Sequence, residues 1–139
     1  MKKNTKARIY NRISNAKNIL REGRNREMID SFLEKYFQCE LVCVEMIKDY
    51  RTDKKDDDKD IKIIVQTIKS AMNHIGIHVD DLLLNNLFSS NKKSGQRSAK
   101  KLRDGIVHEL SKEAIREVIN RYYELNTYMD EFLLLFDIQ

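Results

Sequence analysis

The run Arg103-Asp104-Gly105-Ile106-Val107-His108 crowds a permanent cation, a polar neighbour and an imidazole into six residues. An arginine cannot shed its proton in a protein and presents a planar fork of donors that matches phosphate. Histidine is the side chain whose unperturbed pKa, about 6.5, allows it to take and return a proton near neutral pH. Together they offer what cleavage of a phosphodiester requires without a metal: a proton shuttle and a stabiliser of developing phosphate charge.

Spacing complicates that chemistry. Positions five apart on a straight helix differ by about 140°, so Arg103 and His108 do not point the same way on one helix. Gly105 lies between them and can bend or end a helix. Either the motif straddles a helix break, or the two side chains meet across a subunit boundary. The competing structural reading pairs Arg103 with an acid and packs His108 against the final helix. Two other pairs, Cys39/Cys43 and His74/His78, have one-turn spacing. A zinc site would need all four to converge, and Gly76 interrupts the second pair, so the cysteines read as small buried hydrophobes. No metal and no cofactor is expected. Tyr122, Tyr123 and Tyr128 read as core or dimer-interface residues.

The elements that position the motif are helical throughout. The chain has no proline and four glycines in 139 residues, and strand-like alternation is not sustained. A basic helix over about 5–22 carries Ile9, Ile13, Ala16 and Leu20 as a narrow stripe ended by Gly23. A central helix over about 26–50 buries Ile29, Phe32, Leu33, Tyr36, Phe37, Cys43, Ile47 and Tyr50. The run Asp53–Asp60 reads as a solvated turn whose last aspartates cap a helix over about 60–75, along Ile61, Ile64, Val65, Ile68, Met72 and Ile75. A short helix from about Asp80 to Phe88, capped by Asp80 or Asp81, buries Leu83, Leu84, Leu87 and Phe88. A polar loop over 89–96 leads to a helix that starts near Arg97 and delivers Arg103. A last helix runs from about Glu113 to Phe136 along Ile115, Val118, Ile119, Tyr122, Met129, Phe132, Leu133 and Phe136, with Ser111 at its start. The expected fold is an all-α bundle of about five helices in a single domain spanning 1–139.

Charge is unevenly placed. The net charge is +4. Met1 to Arg26 holds nine Lys or Arg against Glu22 alone, and Lys92 to Arg103 holds six with no acid. Clustered cations suit a polyanion such as nucleic acid. Lys92, Lys93, Arg97, Lys100 and Lys101 are therefore the expected RNA-binding residues; solubilisation of two exposed segments is the plainer reading of the same charges. The basic N-terminus lacks the apolar stretch of a secretion signal. No run approaches the ~18 apolar residues of a membrane span. Two cysteines in a helical pattern fit a reducing cytoplasm.

The stretch Leu102 to Glu109, with His five residues after Arg and a long helix following, resembles the signature of the HEPN superfamily. The resemblance implies a small helical bundle and a metal-independent endoribonuclease acting as a homodimer, with the two motifs facing each other near the two-fold axis. It implies Arg103, Asp104 and His108 as the catalytic residues. His108 would move protons at the ribose 2′-hydroxyl or the leaving 5′-oxygen. Arg103 would neutralise the phosphorane-like charge, and Asp104 would orient Arg103 or the partner's imidazole. RNA would be left with a 2′,3′-cyclic phosphate. A toxin or phage-defence effector with a separate antitoxin or regulatory protein is the implied setting. HEPN toxins paired with nucleotidyltransferase antitoxins carry Tyr two residues after the His; Leu110 stands there, which sets this chain apart from that subgroup. The alternatives are a non-catalytic helical RNA-binding or regulatory module and a plain helical interaction module.

Overall fold

A computed structural model of the chain describes residues 1–55 and 61–138. These form seven α-helices and no strand. The all-α expectation holds, with seven helices in place of about five. Of the expected acidic turn over Asp53–Asp60, Asp53 still belongs to a helix that ends there, and Asp56 to Asp60, with the expected caps, lie outside the described residues. Among the described residues no helix is long and apolar enough to cross a membrane.

Helix α1 spans Lys3–Leu20 and α2 spans Asn25–Asp53. Gly23 between them adopts φ +51, a left-handed conformation that suits glycine. The stripe foreseen on α1 is only half used. Ala16 and Ile19 are buried, whereas Ile9 and Ile13 are 42% and 39% exposed. The N-terminal half of α1 therefore contributes little to the core. The central role foreseen for α2 holds: it packs against α1, α3, α5, α6 and α7. Its Phe32 and Tyr36 are fully enclosed. Tyr36 leans on Phe88, which meets Phe132 edge to face at 5.2 Å. Phe37, expected in the core, is 43% exposed.

Helix α3 spans Val65–His74, five residues later than foreseen. Ile61, Ile63, Ile64 and Val65 are β-branched, which disfavours helical nucleation, and Ile64 is extended at φ -126, ψ 151. Gly76 then turns the chain at φ +77. Helix α4, Asp81–Phe88, starts as expected from Asp80, whose carboxylate accepts the Leu82 N–H at 2.9 Å. The expected single last helix is two, α6 at Lys112–Asn120 and α7 at Tyr122–Leu134. Neither Gly nor Pro marks the break. Arg121 leaves the helical region there, at φ -107, ψ 19, with its side chain held by Glu117, Glu124 and the Arg97 carbonyl.

Helix α5 spans Ala99–Glu109 and carries the whole Arg–His motif without interruption. Ser98, not Arg97, sets its start: the Ser98 hydroxyl accepts the Lys101 N–H and donates to the Ser89 carbonyl at 2.7 Å. The bend or stop considered at Gly105 does not occur. That glycine serves packing instead. A Cβ there would lie 3.0 Å from the Ala114 Cβ of α6, so its absence lets α5 and α6 approach closely. Gly105→Val should destabilise the fold by ~1–3 kcal/mol through overpacking, read as a lower urea midpoint. An unchanged midpoint would show that α6 yields freely.

Candidate functional site

The corner between α5 and α6 fixes the motif's C-terminal end. The Ser111 N–H reaches back to the Gly105 carbonyl and the Leu110 N–H to Ile106, while Leu110 takes the left-handed conformation at φ 48. Ser111 immediately caps α6 by accepting the Ala114 N–H at 3.2 Å. His108 thus stands in the last turn of α5, one turn from a tightly defined corner.

The two halves of the motif lie on different sides of α5. Leu102 and Ile106 face the core. Arg103 faces α2 and is partly buried. Its guanidinium donates to Asp104 Oδ1 at 2.6 Å, lies 3.8 Å from Glu40 and stacks 5.6 Å over the Phe37 ring. Its Nε–H is buried without a partner. Burial works to lower the guanidinium pKa, but the hydrogen bond it donates to Asp104 and the charges of Glu40 and Asp104 outweigh it and hold the pKa above its usual value. This is the acid pairing that the competing structural reading foresaw. The other half of that reading does not hold, since His108 is exposed. Around the helix from Arg103, Asp104 follows at about 100°, His108 at about 140° and Lys101 at about 160°.

Asp104 and Lys101 also line a groove of ≈ 360 Å³, with Lys92, Arg97 and Gly105. His108 projects from the same half of the helix, between those two residues in angular order. The His108 imidazole, the exposed Lys92 and the half-buried Lys101 thus share one side, while Arg103 lies toward the other.

The five expected RNA-binding residues divide by what already holds them. Lys92 and Lys93 are exposed, and Lys101 is half-buried at the groove. Lys100 donates to the Ile63 carbonyl at 2.7 Å, tying the segment before α3 to α5. Arg97 donates to Glu117 at 2.7 Å. Glu117 was absent from the sequence-based expectations. It is 7% exposed and accepts from the Gly95 N–H, the Arg97 N–H and the guanidiniums of Arg97 and Arg121. It shapes the basic loop from beneath. A lone acid on an apolar helix face, four residues before Arg121, was the available signal.

Of the discounted positions, Cys39, Cys43, His74, Tyr122 and Tyr128 have partners in the fold, whereas His78 and Tyr123 are exposed. Cys39 and Cys43 are fully buried. Burial pushes the Cys39 thiol up to about 12 and the Cys43 thiol higher still, which keeps both protonated. His74 meets Asp53 at 2.9 Å and packs edge-on to Tyr50. Among the described residues no three His, Cys, Asp or Glu side chains converge on a common point fit for a metal. Tyr122 donates to Ser31 at 2.9 Å and Tyr128 to Glu124 at 2.7 Å, while Tyr123 is 74% exposed.

No family model, curated protein or solved structure matches the chain significantly.

Proposed function

We propose that this chain is a HEPN-like, metal-independent endoribonuclease that works as a homodimer. The observation that carries the reading is the face of α5: His108 stands exposed in its last turn, between Asp104 and Lys101, beside a groove edged by Lys92. His108 takes the proton of a ribose 2′-hydroxyl or gives one to the leaving 5′-oxygen. The 2′-oxygen attacks the adjacent phosphorus, the bond to the 5′-oxygen breaks, and a 2′,3′-cyclic phosphate remains. The exposed lysines of the 92–101 segment hold the RNA backbone without choosing its sequence.

One chain cannot direct Arg103 and His108 at the same phosphate from opposite sides of α5. A two-fold dimer resolves this by supplying Arg103 from one copy and His108 from the other. Exposed apolar side chains support such a contact: Phe37 beneath Arg103, Leu41 one turn along α2, and Val107 beside His108, at 43%, 60% and 46% exposure. In that dimer both His108 side chains lie close to the two-fold axis. As a toxin or phage-defence effector acting in the cytoplasm, the enzyme needs a separate antitoxin or regulatory protein to restrain it.

One observation favours a second reading, a non-catalytic RNA-binding or regulatory module. Arg103 is already neutralised by Asp104 and Glu40. An RNA oligonucleotide incubated with the protein in EDTA, beside its all-deoxy counterpart, separates the two. Cleavage of the RNA alone is expected. Salt-dependent binding without cleavage selects the second reading, and cleavage of DNA or a requirement for Mg²⁺ overturns the mechanism.

A further inference from the structure

The groove at Lys92 and Lys101 does not end at the α5–α6 corner. Glu109 and Ser111 line both it and a second concavity of ≈ 280 Å³, which adds Arg12, Asn15 and Lys112. Asn15 and Lys112 in turn line a third, of ≈ 400 Å³, running between α1 and α6. Three grooves with shared walls make one track.

Chemistry changes along it. The first groove sets Lys92 and Lys101 against Glu109, with Arg97 held by Glu117 and Asp104 held by Arg103, and so keeps an excess of positive charge. The α1–α6 cleft is charge-balanced: Arg12, Lys112 and Arg116 stand against Glu22, Glu109 and Glu113. A cleft without net positive charge is poorly suited to phosphates. It carries four carboxamides instead, Asn15, Asn18, Asn25 and Asn120. Asn25 spends its NH₂ on the Ile19 carbonyl at 2.9 Å. Asn15, Asn18 and Asn120 are exposed and make no side-chain hydrogen bond among the described residues. A free carboxamide offers donors and an acceptor on one plane, the pattern that pairs with a base edge. Unpaired RNA bases expose such edges, and sequence-specific RNA recognition targets them.

We propose that the α1–α6 cleft reads unpaired bases of the RNA whose backbone the Lys92–Lys101 groove holds, an assignment that rests on the ribonucleic acid reading above. Phosphate contacts follow salt without regard to sequence, whereas base contacts follow sequence. The two halves of the track therefore separate experimentally.

Binding of short oligo(U), oligo(A), oligo(C) and oligo(G) in EDTA over a salt series tests this. The wild type should rank the four homopolymers with a spread of about tenfold, the order that one paired amide–base contact supplies. The Asn15→Ala/Asn18→Ala/Asn120→Ala variant should bring them close to equality with the salt slope unchanged. Asn18→Asp, which can only accept, should move the order toward cytosine. Lys92→Glu should flatten the salt slope and leave the order intact. Equal wild-type binding to all four, or a base order unaltered in both asparagine variants, overturns the cleft while leaving RNA binding in place. No binding to any RNA overturns the functional reading and the cleft together, as would recognition of a peptide there.

Discussion

Glu117→Ala should lower the melting temperature by about 10 °C or more. The carboxylate lies 7% exposed beneath the basic loop and accepts four hydrogen bonds, two from guanidiniums and two from main-chain N–H groups. Its loss takes the buried partner from Arg121, whose side chain is 14% exposed and keeps Glu124 and the Arg97 carbonyl, and takes the carboxylate from Arg97. Removing one partner of a buried ion pair costs ~3–5 kcal/mol, and a chain of this size loses roughly 3 °C per kcal/mol. The break between α6 and α7 should loosen as well, because Glu117 and Glu124 both hold Arg121. Glu117→Gln keeps an acceptor and the side-chain volume, and should lose less. Calorimetry of the three proteins decides the matter; a drop under about 3 °C in the alanine variant would contradict the clamp.

His108→Ala should leave the melting temperature nearly unchanged and lower RNA cleavage by ~10²–10⁴, the usual cost of a lost general acid–base group. The residue is exposed, so stability and rate part cleanly at this position. Arg103→Ala should lower cleavage comparably, at some cost in stability, since Glu40 and Asp104 lose their cation. Arg103→Lys should restore little, because an ammonium lacks the planar fork and stacks less well over Phe37. Single-turnover rates on one RNA oligonucleotide measure this. Wild-type rates in the His108→Ala protein would remove the imidazole from the mechanism.

Helix type was legible because apolar residues recur at helical spacing and breakers are few. Asp80, Ser111, Gly23 and Gly76 marked boundaries through local chemistry that needs no tertiary partner. The misplacements share a cause. Arg121 ends a helix only because Glu117, Glu124 and Arg97 converge on it. Gly105, read locally as a breaker, is small because α6 passes close by. Ile9, Ile13 and Phe37 fit apolar stripes, yet those faces extend past the core. The angular divergence of Arg103 and His108 could be read from spacing alone. The attachment of Arg103 to Glu40 and Phe37, some sixty residues earlier in the chain, could not.

The composite site is tested most directly by mixing two inactive variants. Arg103→Ala and His108→Ala proteins should each cut RNA poorly alone. After subunit exchange, half of the dimers are mixed, and each mixed dimer holds one site with both an intact arginine and an intact histidine. Activity in EDTA should therefore recover to about a quarter of the wild-type value. Recovery to that level is the predicted result. A mixture no more active than its components, with mixed dimers shown to be present, would contradict a site shared between two copies.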